Sequence, residues 1–539
     1  MTDKQIVLMP EDIQRIMGKD AQRNNIAAAK MISEIIKTTL GPKGMDKMLV
    51  SPTNDIVITN DGATILKEMQ IEHPAAKMMV EVAKTQEVEV GDGTTSAVMI
   101  AGKLLENAEK LLDKKIHPTL IVKGYRLACE KAQEILKDIS MKISPENNES
   151  LRQIAMTAMT GKGAEDSKEK LSEIIVKAIQ QLQEKLNVDL NDIKIEKIKG
   201  ERIGDTQLIS GVVFDKEKIS YDMPSVVNNA KIALIDFPLE IKSPDIKTEV
   251  SISSPQQLQS FILQEENSIK EMVQIIKDSG ANVIFCQKGI DDFASFLLAK
   301  SKIYACRRVP KSDMEKLSKA TGAKIINNLN DLTPFELGGA EIVEQIKTGE
   351  DKLTYVRGCK NPKALTILIR GGTEHVLDEV ERAIMDGLGD VSCALKYGLI
   401  VPGGGAVEIE LARRLRNFGQ SLSGREQLAV EEFANALEFI PITLAENAGI
   451  DPIDVLTELK ARHDSGEINA GLDLFENKIV NVLESKIIEP SKIKSQAISS
   501  ATEVATMILR IDDVIASRPD KKGRMNFGGT RPDYMDGLE

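Results

Sequence analysis

The sequence predicts a multidomain protein in which two outer helical segments enclose two mixed segments and a central α/β segment. The chain has 539 residues, which is too many for one compact core and corresponds to about three or four domains. Apolar residues recur at helical spacing near both ends, whereas buried strands alternate with helices in the middle. This symmetrical order indicates nested insertion, with the outer segments forming one domain and the central segment lying at its far end.

Charge and cysteine content argue against several classes of protein. The 70 Lys and Arg residues against 82 Asp and Glu residues leave a formal net charge of −12, which opposes the basic surface that nucleic-acid binding needs. The five cysteines and four histidines are scattered and form no C-x-x-C or H-E-x-x-H pattern, so we expect reduced thiols in a cytoplasmic protein and no zinc site. No segment has the features of a targeting leader or a membrane span.

The outer segments are expected to be mainly helical, and the central ones contain strands. The tail from Ser517 is polar and is predicted to be disordered. The helices are predicted at 21–39, 74–88, 94–105, 118–139, 151–159 and within 406–514, and the strands at 55–59, 193–198, 231–235, 281–285 and 364–369.

Three glycine-containing turns precede helices in the N-terminal segment. They are Leu40-Gly41-Pro42-Lys43-Gly44, Asn60-Asp61-Gly62 and Gly91-Asp92-Gly93-Thr94-Thr95. Exposed amides at a helix N-terminus, approached closely through glycine, bind phosphate. A carboxylate in the third turn would repel a phosphate, and a shared Mg²⁺ resolves that conflict. Each turn alone is more often a helix cap than a ligand site, and spacing leaves a nucleotide site and simple capping both open.

Two further residues have open interpretations. Asp386 lies at the end of an otherwise apolar helical face, where it either caps or solvates the helix or positions a water molecule. Lys162 lies between two glycines, where it either contacts a phosphate or is exposed to solvent.

The combined motifs resemble those of the chaperonin family, in their usual order. Within that family, the individual motifs resemble those of group II chaperonins of the archaeal thermosome type, which are related to the eukaryotic cytosolic TCP-1 ring complex. The resemblance covers nearly the whole chain, although the tail lacks the Gly-Gly-Met repeats common in that family. It rests on the three turns above, extended to Met45-Asp46 and Ala63-Thr64-Ile65-Leu66, and on Val401-Pro402-Gly403-Gly404-Gly405-Ala406, Ile488-Glu489-Pro490, His73-Pro74-Ala75-Ala76-Lys77 and Gln287-Lys288-Gly289-Ile290-Asp291-Asp292.

The resemblance implies an all-α equatorial ATPase domain, a small α/β intermediate domain and an α/β apical domain with a helical protrusion. The implied ranges are 1–148 and 405–539 for the equatorial domain, 149–219 and 371–404 for the intermediate domain, and 220–370 for the apical domain, with the protrusion at about 243–275.

The resemblance also implies a role for each matching site residue. Asp92 would bind Mg²⁺, Asp61 and Asp386 would orient and activate the attacking water, and Lys162 would sense the γ-phosphate of ATP. The other implied ATP-binding residues are Leu40, Gly41, Pro42, Gly93, Thr94, Thr95, Gly404, Gly471 and Glu489.

The implied function is an ATPase that encloses non-native polypeptides in a chamber and promotes their folding. Its partners would be those polypeptides and further subunits, the same or different, in two stacked rings of eight or nine, with no nucleic acid and no membrane. The alternatives are a small-molecule kinase that uses the same turns and a non-enzymatic ring scaffold with a vestigial nucleotide site.

The segment before Gly280 is the implied built-in lid. Ser254 and Pro255 are predicted as the N-cap and first residue of a helix that Gly280 ends. The polar stretch from Ser243 to Ser253 is predicted as the rising arm of the protrusion, and only the C-terminal half of the helix is expected to pack into a core.

Overall fold

A computed structural model describes residues 13–182, 189–241, 254–348, 351–359 and 363–517. Within these ranges no helix is both long enough and apolar enough to cross a membrane. The helices are α1 (Gly18–Lys37), α2 (Gly62–Glu68), α3 (Pro74–Val90), α4 (Thr94–Asp113), α5 (Pro118–Ile139), α6 (Asn148–Met159), α7 (Lys168–Leu182), α8 (Pro255–Asp278), α9 (Asp292–Lys300), α10 (Lys311–Thr321), α11 (Glu374–Tyr397), α12 (Ala406–Ser421), α13 (Glu426–Leu437), α14 (Phe439–Ala448), α15 (Pro452–Asp464) and α16 (Ser491–Leu509).

The strands are concentrated between α7 and α11. They are β1 (Ile13–Met17), β2 (Lys47–Val50), β3 (Ile56–Thr59), β4 (Met141–Lys142), β5 (Ile193–Lys199), β6 (Gln207–Ile209), β7 (Gly211–Phe214), β8 (Val226–Ile235), β9 (Val283–Cys286), β10 (Tyr304–Cys306), β11 (Ile325–Ile326), β12 (Gly338–Thr348), β13 (Asp351–Arg357), β14 (Leu365–Gly371), β15 (Leu399–Pro402), β16 (Ala470–Asp473), β17 (Lys478–Asn481), β18 (Ile488–Pro490) and β19 (Asp513–Ser517).

Helices from the two ends of the chain share one hydrophobic core, which we call the first core. It combines buried residues between 26 and 136 with buried residues between 401 and 509. The two halves contact directly, since α16 packs on α3, α4 and α5, and α13 packs on α4 and α5. The nested order read from the sequence therefore corresponds to one shared core.

A second core lies between the outer helices and the large sheet. It joins α6, α7 and α11 to the sheet β5-β14-β6, in which β14 pairs parallel with β5 and antiparallel with β6. The apolar stretch at 364–369 was predicted as a strand of the central α/β segment, and that placement is wrong. Periodicity identifies a buried strand but not its neighbour, and here the neighbour is β5.

The central segment forms a mixed sheet in the order β10-β9-β8-β12-β13-β7, with β11 also paired to β8. Alternate residues of β8 point to opposite faces, as strand geometry requires. Ile232 and Leu234 pack on the face that α10 covers, and Ala233 and Ile235 pack on the face that α8 and α9 cover. The sheet is therefore buried on both sides.

The outer segments are not entirely helical, so the expectation of an all-α domain is wrong in detail. Strands β2 and β3 form a hairpin, β16 and β17 form another, and β1 pairs with β19. In β2, half-buried and exposed residues alternate, which is the pattern of a strand with one solvated face. Because β19 extends to Ser517, the predicted disordered tail begins too early, and the rest of it lies outside the described residues.

Helix α8 has the predicted boundaries. The Ser254 hydroxyl accepts a hydrogen bond from the Gln257 amide, Pro255 is the first helical residue, and Gly280 has φ 81°. Only the C-terminal half packs into a core, as expected, through Ile269, Val273 and Ile276. The predicted rising arm at 243–253 lies outside the described residues.

We predict that the first core depends on Phe433, which is fully buried and packs edge-on against Tyr125 with ring centroids 5.7 Å apart. Phe433→Ala should lower the free energy of unfolding of this part by about 3–5 kcal/mol, since it removes packing and leaves a cavity. Urea denaturation followed by circular dichroism measures the loss. Phe335→Ala is the control, because that ring is 95% exposed; similar midpoints for both variants would contradict the packing described.

Candidate functional site

A cavity of about 450 Å³ lies where the first and second cores meet. Of the thirteen site residues predicted from the sequence, only Asp386 and Gly471 do not line it. The predicted residues that line it are Leu40, Gly41, Pro42, Asp61, Asp92, Gly93, Thr94, Thr95, Lys162, Gly404 and Glu489.

One wall is the N-terminus of α4, which follows the third glycine turn. None of the described side chains caps this helix, and its N-cap residue is Gly93 in the left-handed conformation. The first amide that bonds back is that of Ala97, to the Gly93 carbonyl. The preceding N–H groups thus lack helical partners beside the cavity, which is the arrangement that accepts an anion.

Asp61 serves as a helix cap and also lines the cavity. Its carboxylate accepts hydrogen bonds from the amides of Ala63 and Thr64 at the start of α2. It also accepts bonds from the Thr64 hydroxyl at 2.7 Å and the Thr94 hydroxyl at 3.2 Å. Asp61 therefore ties α2 to the first turn of α4 and fixes Thr94.

Lys162 joins carboxylates from the two sides of the cavity. Its ammonium lies 2.5 Å from Asp386 Oδ2 and 3.9 Å from Asp92 Oδ1. The side chains of Lys162 and Asp386 are each only 17% exposed. Asp386 therefore lies behind Lys162, next to the cavity wall.

Burial and the surrounding charges shift the pKa of both members of the Lys162–Asp386 pair. Burial raises the pKa of Asp386 to about 7, and the neighbouring Asp92 and Asp61 add to this, although the Lys162 ammonium opposes it. Burial alone would lower the pKa of Lys162, but the carboxylates of Asp386 and Asp92 outweigh it and raise that pKa overall. Lys162 is therefore a cation, and Asp386 can take up or release a proton near neutral pH.

The loop that carries Lys162 is held on the first core at Gly161. The Asn60 amide donates to the Gly161 carbonyl at 2.9 Å, and the Gly161 N–H donates to Glu165. A Cβ on Gly161 would lie 2.4 Å from the Pro42 Cα, so only glycine allows this approach. Two of the predicted turns thus contact the Lys162 loop directly.

The helix α11, which carries Asp386, crosses the third turn through a pair of glycines. A Cβ on Gly91 would lie 3.1 Å from the Gly389 Cα, and one on Gly389 would lie 3.2 Å from the Gly91 Cα. The absence of both side chains lets the helix backbone approach the turn, and so brings Asp386 to Lys162.

Asp390 is a cavity residue that the sequence reasoning missed. It is 2% exposed, and its Oδ1 has no hydrogen-bond partner among the described residues. Burial, together with Asp92, raises the pKa of Asp390 well above its usual range. The available signal was its spacing of four from Asp386, which places both carboxyls on one helix face.

Lys494 was also missed, and its single positive charge is shared by two acidic residues on the opposite wall. Its ammonium lies 2.9 Å from Glu408 and 2.8 Å from Glu489. Burial raises the pKa of Glu489, while Glu408 and Glu489 overcome the effect of burial and raise the pKa of Lys494. No local spacing reveals this cluster, because Glu408 begins α12 and Lys494 belongs to α16.

Gly404 and Gly471 lie back to back near that wall. Gly404 has φ 61°, and its carbonyl accepts from the Leu472 amide at 2.9 Å. A Cβ on Gly471 would lie 3.1 Å from the Gly403 oxygen, so Gly471 supports the wall from behind. The hairpin residues that follow it, Leu472 to Phe475, line the cavity instead.

The chain matches the model of the TCP-1/cpn60 chaperonin family over residues 32–519. It therefore belongs to this chaperonin family. Three similar relatives are thermosome subunits: one from Methanopyrus kandleri (56% identity over 519 residues, 96% of this chain and 95% of the relative), one from Methanocaldococcus jannaschii (57% over 530, 97% and 98%) and one from Pyrococcus abyssi (56% over 532, 97% and 97%). The resemblance to group II chaperonins is confirmed, and it supports a chaperone function in protein folding.

We predict that Lys494→Met destabilises the first core by about 3–5 kcal/mol, because it leaves the buried Glu408 and the half-buried Glu489 without their cation. Urea denaturation measures the change. The double variant Lys494→Met/Glu408→Gln should recover part of the loss, since one unpaired charge is removed. Lys492→Met, two positions earlier on α16, should change stability little. Equal stability of Lys494→Met and the control would show that the cluster is not an internal charge pair.

Proposed function

We propose that this chaperonin binds ATP in the cavity between the two cores and hydrolyses it to drive the enclosure of non-native polypeptides. The observation that carries the proposal is the convergence of unpaired α4 amides, Asp92, Lys162 and Asp386 around one cavity. The amides and the lysine supply donors for phosphate, and Asp386 supplies a base whose pKa is near neutral. A vestigial nucleotide site that no longer hydrolyses ATP would not require a base such as Asp386 next to its phosphate-binding donors.

The cores support the equatorial, intermediate and apical division of the chain. The first core would be the equatorial domain, the second core the intermediate domain and the large sheet the apical domain. Strand pairing moves the inner boundaries, because Gly211–Phe214 lies in the large sheet and Leu365–Gly371 lies in the sheet of the second core.

The phosphates of ATP would lie at the α4 end of the cavity, against the amides of Gly93, Thr94 and Thr95. The Leu40-Gly41-Pro42 turn and Gly404 would pack against the rest of the nucleotide, and Glu489 would accept hydrogen bonds from the ribose. This orientation is supported by the contrast between the donor-rich α4 end and the apolar Leu444 and Leu472 elsewhere in the lining.

Asp92 is the residue that fits Mg²⁺. It lines the cavity next to the α4 amides, and the described residues contain no cluster of three or more His, Cys, Asp or Glu that could hold a metal alone. A single carboxylate suits an ion that takes its other ligands from phosphate and water. Mg²⁺ would neutralise charge on the phosphate oxygens.

Hydrolysis would need Lys162 and Asp386 to separate. Lys162 would bind the γ-phosphate oxygens, which compete with Asp386 for its ammonium. Asp386 would then accept a proton from a water molecule, whose oxygen bonds to the γ-phosphorus while the bond to the bridging oxygen of ADP breaks. Asp61 would orient that water and, through Thr94, the amides beside it.

We predict that Asp386→Asn binds ATP nearly normally but hydrolyses it about 10²–10⁴-fold more slowly, since the proton acceptor is lost. Phosphate release measures turnover, and isothermal titration calorimetry measures binding. In the unaltered protein kcat/KM for ATP should rise with pH through about 7, because it reports the nucleotide-free protein, in which Asp386 is paired with Lys162 and is active when deprotonated. Asp378→Asn, on the exposed part of the same helix, is the control. Full turnover by Asp386→Asn would refute the assigned base.

The N-terminal half of α8 would form the built-in lid. Its Leu258, Phe261, Ile262 and Leu263 are about half exposed, so none of them is covered by the described residues of this chain. Lids from neighbouring subunits of two stacked eight- or nine-membered rings in the cytoplasm would cover one another at the ring axis. Each contact is weak alone, but ring closure makes the others intramolecular.

We predict that replacing residues 245–265 with a short Gly/Ser linker leaves rings and ATPase activity intact. Protease protection of the apical domains in ATP should disappear, and refolding of a denatured substrate should fall sharply, because the chamber no longer closes. Negative-stain microscopy, proteolysis and refolding assays measure these effects. Ser260→Ala is the control within the same helix. Continued encapsulation by the truncated protein would exclude this segment as the lid.

A further inference from the structure

Gln86 lies beneath the third glycine turn and is fully buried. Its side-chain amide donates to the Asp92 carbonyl at 2.9 Å and to the Ile493 carbonyl at 3.2 Å. The first contact holds the peptide that precedes α4, and the second holds the start of α16 beside Lys494. One buried amide thus links the two walls of the cavity from behind.

The contact with Asp92 determines which end of a peptide faces the cavity. The described residues contain no cis peptide bond, and in a trans peptide the carbonyl and the following N–H point in opposite directions. Since Gln86 holds the Asp92 carbonyl inward, the Gly93 N–H is directed away from Gln86. No described residue accepts a hydrogen bond from that N–H, and Gly93 lines the cavity.

The turn itself does not fix this orientation. Gly91 and Gly93 both have left-handed backbone conformations, with φ 88° and 79°, and glycine has access to both signs of φ. If the Asp92–Gly93 peptide turned over, it would present a carbonyl oxygen where an anion needs a donor. Some external contact must hold it, and Gln86 makes the only described side-chain hydrogen bond to the Asp92 carbonyl.

The hydrogen bonding of Gln86 indicates that its role depends on the two N–H donors of its side-chain amide. Both described bonds are donated by Nε2, and Oε1 is buried without a hydrogen-bond partner among the described residues. A buried unpaired acceptor costs stability, so an apolar side chain of similar shape would pack more favourably if packing were the only role.

We propose that Gln86 is a positioning residue that keeps the Gly93 N–H directed towards the nucleotide phosphates. The inference rests on the proposed ATP site. It assigns the residue that determines whether the Asp92–Gly93 peptide presents its N–H or its carbonyl to the phosphates. Gln86 does not touch the ligand, and it acts through the Asp92–Gly93 peptide. Its removal should weaken the binding of phosphates without affecting the binding of the nucleoside.

The test compares ADP with adenosine on the full-length ring in the presence of Mg²⁺, by isothermal titration calorimetry. Gln86→Met keeps the approximate shape but removes both donors. We expect ADP to bind roughly ten-fold more weakly, the value of about one hydrogen bond, and adenosine to bind as before. Gln133→Met is the matched control, because Gln133 donates to the Ser495 carbonyl of α16 at 2.9 Å but lies away from the turn.

The outcomes separate this inference from the proposed function. If the unaltered protein bound ADP no better than adenosine, the phosphate site itself would be excluded. If it preferred ADP, but Gln86→Met bound ADP normally or lost both ligands equally, the positioning role would be overturned.

A second variant tests the donor directly. In Gln86→Glu, burial against two carbonyls favours the neutral carboxyl, which keeps one donor. At a pH low enough to keep that proton, ADP affinity should lie between those of the unaltered protein and Gln86→Met measured at the same pH. An affinity equal to that of Gln86→Met under those conditions would count against the proposal.

Discussion

The ion pair between Lys162 and Asp386 is the interaction on which the arrangement of the site depends. Both residues belong to the part of the chain that builds the second core, whereas Asp92, 3.9 Å from the same ammonium, belongs to the first. Around this cation, burial and the charge of Asp92 raise the pKa of Asp386 and that of Asp390. Under the proposed function, a phosphate that entered would add negative charge and compete for Lys162, and would thereby link ligand charge to the position of the second core.

Backbone contacts at glycine residues couple the position of the second core to that of the first. Two close backbone approaches between the two cores at the cavity are Gly161 on Pro42 and Gly389 on Gly91, where a Cβ would lie at 2.4 Å and 3.2 Å from the opposing Cα. Neither contact has a flexible side chain that can absorb a displacement. Movement of α11 therefore moves Asp386 relative to the turn that would hold phosphate.

Residue patterns within a few positions of one another predicted many helix ends and turns. They could not predict which distant segments pair with one another. The ends of α8 follow from Ser254 and Gly280, whose side chains or backbone preferences act within one helical turn. The second and third glycine turns, each followed by a helix, were found for the same reason, but the prediction that the first turn also precedes a helix is wrong, since strand β2 follows it. The neighbour of Leu365–Gly371, the Glu408–Lys494 pair and the contact of Gln86 with Ile493 join residues far apart in sequence, and no periodicity encodes them.

The two ends of the cavity differ for a physical reason that also decides how a nucleotide would lie. At the α4 end the donors are backbone amides, which cannot lose their protons and are therefore suited to a permanently charged phosphate. At the other end Glu489, which shares the Lys494 cation with Glu408, can accept hydrogen bonds from hydroxyl groups. A reversed nucleotide would set its phosphates against the Glu489 carboxylate and would leave the α4 amides facing neutral hydroxyls in place of charged phosphate oxygens. The fold would thus favour one orientation before any residue touches the reacting bond.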